Sequence, residues 1–338
     1  MKKLGKLTWE YTEPVYIQAT GTVVGPAEHK GPLGQSFDQS YDNLYCGEAS
    51  FAKAERVLLK DAVMICLKKA GLQLKKVDYL LAGDLDHQLT ASSFSARDLD
   101  LPFIGMYSAC ATASQTLIMA ALLVETGLAT HVLAGASSHH GVAEKQFRFP
   151  TEMAHQKSQT AQYTVTGAGV ALVSRKKSSI KIGVATIGEL VDMGIKDTTN
   201  MGAAMAPAAG QTLLTHLRET GRTLEDYDLI LTGDLGRIGS SIFRKWMREH
   251  GYKLEEWHQD GGVKIFRSDP LYLAGGSGAG CAAVVTYGRI IRDLQKGTYN
   301  RVLLLATGAL FSHTSVSEGD TIPAVAHAVS LERCEHEE

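Results

Sequence analysis

The sequence lacks the features that would assign it quickly. Its five cysteines (46, 66, 110, 281 and 334) are odd in number and scattered, with no CxxC pair, which argues against a disulfide framework or a zinc site. Charge is nearly balanced, at a formal net of -2, so there is no electrostatic footprint for nucleic acid. Long apolar runs are missing: LIMAALLV (117–124) is too short to span a bilayer. The opening MKKLGKLTWEYTEP has lysines but no apolar stretch behind them, so no secretory signal is expected and synthesis in a cytoplasmic compartment is. What remains is a chain of 338 residues, 44% hydrophobic and 21% charged, ordinary for a globular protein with a large core.

What is present is a repeat. DYLLAGDL (78–85) returns as DLILTGDL (228–235), and GLATHVLAGAS (127–137) lines up with GTYNRVLLLAT (297–307). Helix-like stretches precede the second pair, TLIMAALLVETG in one half and AVVTYGRIIRDLQKG in the other. A period this long indicates a duplicated domain rather than a solenoid. Residues 49–71 place Leu58, Ala62 and Ile65 at helical spacing and end at Gly71, predicting a helix. YLLAG and LILTG are short continuous apolar runs, as expected of strands covered on both faces, and GVALVSRK (169–176) and HAVSLER (327–333) read as late strands of each half. The pattern predicts an α/β layer architecture with mixed sheets, the halves spanning 1–180 and 181–338. The Gly/Pro-rich segment 25–43 reads as a surface loop.

One stretch carries chemistry: GMYSACATASQT (105–116), with Cys110 between an apolar strand-like run and a helix. At a helix N-terminus a thiol feels the positive end of the dipole and can become a nucleophile, and the free amides also suit an anion. The bland reading is a small buried residue filling a tight turn. Acyl chemistry needs a base and oxyanion donors as well. His87, His139, His140, His313 and His327 lie at predicted strand-end loops and are candidates for the base. Asp84, Asp86 and His87 in DLDH have no second ligand cluster, so no metal site is expected.

A duplicated α/β chain with a cysteine at the strand-to-helix turn of its first half resembles the thiolase superfamily, over residues 10–334. That resemblance implies a thiolase-like fold: two αβα halves stacked in five layers with two buried central helices, and Cys110 at the nucleophile position. The sequence departs from the superfamily where partners are needed. TGDLG (232–236) has no histidine, LAGGSGAGCA (273–282) offers only Gly and Ser where Asn or His stands, and ATGAL (306–310) has no cysteine. Cys281 reads as a packing residue.

GPLGQSFD, LLAGDL, ACATAS, QFRFPTE, VTGAG, MGAAMAPAA, LTGDLG, AGGSGAGCAAVVTY and RVLLLATGAL together resemble the stage V sporulation AD family of the SpoVA group. That group moves pyridine-2,6-dicarboxylic acid (dipicolinic acid, DPA) in spore formers. The resemblance implies a non-catalytic DPA-binding protein without cofactor, peripheral on the spore inner membrane through other SpoVA proteins, and homodimeric like the superfamily. For a flat dianion the expected ligands are Cys110 with its following amides, Ser138, His139 and the guanidinium of Arg148, which suits a carboxylate bidentately. Asp84 would orient a histidine or meet the calcium that accompanies DPA. The competing expectation is an acyl-thioester enzyme with Cys110 as nucleophile.

Overall fold

The computed structural model describes residues 1–147 and 158–334. Its first unit runs β1 (Tyr16–Val24), α1 (Phe51–Ala70), β2 (Tyr79–Gly83), α2 (Thr90–Asp98), β3 (Phe103–Gly105), α3 (Thr112–Glu125), β4 (Val132–Ser138) and β5 (Gly167–Ser174). The second runs β6 (Ile180–Thr186), α4 (Met201–Thr220), β7 (Leu229–Thr232), α5 (Gly236–Glu249) and β8 (His258–Asp260). It continues with α6 (Ala279–Val284, prolonged through Val285–Ile290 and Ile291–Gln295), β9 (Arg301–Ala309) and β10 (Ala324–Arg333).

Local chemistry places these elements. The Ser50 hydroxyl accepts from the Lys53 amide at the start of α1, and Gly71 closes it in a left-handed conformation at φ 63°, with Lys68 and Lys69 in the last turn. The strands read as doubly covered are so: four of five residues in β2 and all of β7 are buried. The repeated aspartates just ahead of them have the same task twice. Asp78 Oδ2 accepts from the amides of Thr130 and His131 at 2.6 and 2.9 Å, and Asp228 Oδ2 from those of Asn300 and Arg301 at 2.6 and 2.9 Å. Each carboxylate thereby fixes where the neighbouring parallel strand, β4 or β9, enters the sheet.

Strand order confirms the duplication. The first unit is ordered β1-β5-β4-β2-β3 and the second β6-β10-β9-β7-β8. In both, the first two neighbouring pairs are antiparallel and the last two parallel. Hydrogen bonding joins the two units into one extended sheet, through an antiparallel bridge Lys181↔Tyr16 and a short strand Thr8–Glu10 against β6.

Ten of the fourteen residues of α3 are buried and none is exposed, which places this helix inside the molecule. It packs on β2, β4 and β5 of one unit, on β9 and β10 of the other, and on α6. α1 and α2 cover the far side of the first unit, α4 and α5 that of the second. Three apolar cores result, one between the units and one under each outer pair. The stack is the α/β/α/β/α arrangement expected.

The segment 25–43 differs from a plain surface loop. It carries a short helix, Pro26–His29, and turns Glu28 and Phe37 inward. Glu28 is 1% exposed, accepts from the Thr166 amide at 2.8 Å, and has its pKa raised by burial to about 7. Polar composition made it read as exposed; a hydrogen bond to a residue far along the chain holds it in.

A close approach between the units lies at Gly308 of β9, where a Cβ would come within 2.1 Å of the Ser108 carbonyl oxygen in the loop that leads to Cys110. Gly308→Ala is expected to lower the thermal unfolding midpoint by several degrees, an overpacking cost of about 1–3 kcal/mol. An unchanged midpoint would contradict this packing.

Candidate functional site

Cys110 sits in the turn between β3 and α3, preceded by Ala109 at φ 48°, a left-handed conformation that costs a non-glycine residue about 1–2 kcal/mol. Thr112 holds that turn: its hydroxyl accepts from the Ser108 amide at 3.1 Å and donates to the Ala109 carbonyl at 2.7 Å. On the other side His327 braces it. Burial lowers this histidine to about 4, so it is neutral. Its Nδ1 accepts from the Gly188 amide at 3.2 Å, and Nε2–H is left to donate to Ser108 Oγ at 3.3 Å. Both ring nitrogens are occupied in support of the backbone.

The thiol itself is 6% exposed and its pKa stands well above the usual value, first because of burial and then because of nearby Asp234. The Gly278 amide and the residue's own amide pull the other way without reversing it. Desolvation outweighs the helix-terminus effect, and the group is a thiol at neutral pH. Beside it is a cavity of about 30 Å³, room for about one water and far below the several hundred Å³ of a small-molecule site. Thr164, Thr198 and Ser277 are among its lining residues, as are Phe147 and Phe311, whose rings stand 5.2 Å apart. None of the described lining residues is charged or a histidine.

Asp234 is the residue the sequence pattern did not single out. It is fully buried, and neither carboxyl oxygen makes a hydrogen bond among the described residues. Burial and the Asp260 charge push its pKa well up, with the amides of Thr307 and Gly278 offsetting only part. Its carboxyl is thus held toward the protonated form, next to a thiol. The available signal was its repeat mate, Asp84, whose situation is opposite. Asp84 accepts from the amides of Asp86 at 2.8 Å and Ser92 at 2.7 Å, the latter in the first turn of α2. Burial raises it to about 6, and it does not line the cavity.

Of the expected ligands, Cys110 alone is found in the cavity wall among the described residues. Ser138 Oγ donates to the Val165 carbonyl at 2.7 Å and accepts from the Gly280 amide at 3.1 Å, tying β4 to the start of α6. His139 is buried, Nε2 facing the Leu44 carbonyl at 2.8 Å and Nδ1 accepting from the Gly141 amide at 3.1 Å, with Phe51 stacked on the ring. Burial holds its pKa below the usual value. Arg148 lies outside the described residues. His140 stacks on Tyr163 at 3.7 Å and faces Glu144, while His87 and His313 are exposed. Cys281 donates to the Gly233 carbonyl at 2.9 Å as a buried packing residue. Among the described residues no three His, Cys, Asp or Glu side chains are placed to hold a metal ion, and no helix is long and apolar enough to cross a membrane.

A buried acid with a raised pKa makes folding less favourable as pH climbs from the unfolded value near 4 through the raised one, because the native state binds the extra proton. Asp234→Asn removes that liability. Urea denaturation should show the variant gaining on the parent as pH rises from 4 to 8, with the difference shrinking toward pH 4. A pH-independent loss would contradict the assignment of a neutral Asp234.

Residues 5–332 match the family described as Stage V sporulation protein AD (SpoVAD). Over 333 residues the chain is 46% identical to Stage V sporulation protein AD of Bacillus subtilis (strain 168), with 98% of each chain covered. In three dimensions it is similar to a variant of OleA from Xanthomonas campestris, with TM-score 0.66, 11% identity, and 96% and 97% of the two chains covered. It is similar also to human mitochondrial 3-ketoacyl-CoA thiolase in complex with CoA (TM-score 0.59, 11% identity, 96% and 99% covered). A third neighbour is 3-oxoacyl-[acyl-carrier-protein] synthase III from Aquifex aeolicus VF5 (TM-score 0.58, 12% identity, 94% and 99% covered). Identity at this level bears on fold alone, and the fold is thiolase-like. With nearly its whole length matched, the chain belongs to the stage V sporulation protein AD family.

Proposed function

We propose that this sporulation-family chain is a non-catalytic binding protein for dipicolinic acid, alone or as its calcium complex, and serves DPA uptake into the developing spore. The observation that carries the reading is the state of the thiol in the cavity wall: burial holds Cys110 as a thiol, and its ionisable neighbour Asp234, which is not in the wall, is itself pushed toward the protonated form. A Cys-dependent acyl transfer needs a proton acceptor beside the sulfur. A carboxylate ligand needs donors, and Thr164, Thr198 and Ser277, which line the cavity, carry hydroxyls that can supply them.

The cavity of about 30 Å³ does not admit a pyridine ring as it stands. Binding therefore requires Phe147 and Phe311 to part, and the guanidinium of Arg148, outside the described residues, is the proposed partner of one carboxylate. Ser138, His139 and Asp84 then act by holding the walls, since their polar atoms are already bonded. In this reading the protein works at the face of the spore inner membrane with other SpoVA proteins, as a homodimer and without a cofactor.

The competing reading is an acyl-thioester enzyme. It is favoured by the position of Cys110 at a strained strand-to-helix turn in a fold whose neighbours include a thiolase and a synthase.

Calorimetric titration with DPA, with and without calcium, is expected to give saturable binding. Arg148→Ala should weaken it about tenfold or more, the value of one charge-assisted hydrogen bond. A turning-over acyl adduct on Cys110 after incubation with acyl-CoA, seen by mass spectrometry and without DPA binding, would overturn the proposal in favour of the enzyme.

A further inference from the structure

A second, larger concavity shares no residue with the Cys110 cavity. It measures about 750 Å³ and lies between α5 and the segment that starts at β8. Arg237, Arg244, Lys245 and Arg248 line it from one face of α5, and Lys264 faces them from the short helix Gly261–Ile265. Glu255 and Asp260 are its two acids. Glu255 is paired with Arg248. Asp260 is buried and accepts four hydrogen bonds, from Thr232 Oγ1 and the amides of Leu235, Gly236 and Val263. The groove therefore carries a surplus of positive charge. Arg237 and Lys245 have no side-chain partner among the described residues.

Two features distinguish it from a solvated basic helix face. Ser240 is 5% exposed, lines the groove one turn before Arg244, and its Oγ has no hydrogen-bond partner. A buried orphan hydroxyl is uncommon, and this one belongs to a residue that lines the cationic groove. The second feature is a buried relay that fixes Arg244. Asp260 Oδ2 accepts from Thr232 Oγ1 at 2.7 Å; Thr232 Oγ1 in turn faces His258 Nε2 at 2.7 Å. Because that histidine is neutral, lowered to about 3 by burial and by Arg244, its Nδ1 accepts from Arg244 Nε at 3.1 Å. Arg244 Nη2 also donates to the His258 carbonyl at 3.2 Å. One edge of the guanidinium is thus pinned, and its remaining N–H groups make no other bond among the described residues. A pre-oriented guanidinium beside an unpartnered hydroxyl suits a tetrahedral oxyanion.

We propose that this groove is a binding site for a phosphate-bearing ligand. Arg244 and the Ser240 hydroxyl hold one phosphoryl group, and Arg237 and Lys245 neutralise a second. The cations of α5 other than the paired Arg248 extend from residue 237 to 245, about 12 Å of helix, which exceeds the span of a single phosphate and suits more than one phosphoryl group. The site is independent of the DPA reading, since the two cavities have no wall in common.

Inorganic pyrophosphate is the probe. Calorimetry on the full chain should give saturable binding that weakens at least tenfold in Arg244→Ala, in Lys245→Ala and in Ser240→Ala. Lys245 is exposed, so its variant is not compromised in folding. The double variant Lys2→Ala/Lys3→Ala removes two exposed cations elsewhere and should bind as the parent does. Sedimentation with phosphatidylglycerol vesicles distinguishes the source of the phosphate. Vesicle binding that pyrophosphate displaces and Lys245→Ala abolishes assigns a lipid headgroup; pyrophosphate binding without vesicle binding assigns a soluble ligand. Absence of both, or an equal loss in the Lys2/Lys3 control, overturns the proposal.

Discussion

Helix α3 has no exposed residue, and the rest of the structure follows from that. A helix with ten of its fourteen residues buried must be covered on nearly every side, and neither unit covers it alone. The strands of the first unit take one side and β9 and β10 of the second take the other, with α6 alongside. The duplication is thus a packing requirement: each unit contributes a central helix that only both together can bury. The close approach of Gly308 to the turn before Cys110 is the same constraint at atomic scale, since the second unit forms the back of the first unit's loop.

Burial at that depth also sets the chemistry. The central region holds thiols and carboxyls whose charged forms have been desolvated without compensating partners, and burial is the leading cause of the rise at Cys110, Cys281 and Asp234. His327, the histidine adjoining the Cys110 turn, is pushed the other way, toward neutrality, and spends both nitrogens on backbone and serine. The scaffold keeps the address of a nucleophile. Burial around it favours the protonated forms of Cys110 and Asp234.

Much of the architecture was legible because it is written in local pattern. The repeat could be read as DYLLAGDL against DLILTGDL, and the structure supplies the reason for its shared first residue, since Asp78 and Asp228 each anchor the entry of a parallel strand. The helix over 49–71 was signalled by its spacing and its terminal glycine. The walls of the site were less legible, because their partners are distant in sequence. Ser138 meets Gly280, and His139 meets Leu44, so a hydroxyl and an imidazole that look available in the sequence are consumed in the fold. Asp84 and Asp234 look equivalent and are not, because only the first is followed by a turn whose amides return to it. The basic stripe on α5 was missed for another reason. Its cations are spread among apolar residues, and they converge with Lys264 only once β8 has brought that segment alongside.

The claim that this scaffold holds a thiol rather than a working nucleophile is tested most directly by the ionisation of Cys110. Its alkylation rate can be followed peptide by peptide by mass spectrometry across pH, in a variant with the half-buried Cys334 changed to serine. The account predicts no thiolate inflection up to the free-thiol value of about 8.5 and slow reaction throughout the neutral range. An inflection at or below pH 7, with fast alkylation of Cys110, would show an activated nucleophile and contradict it.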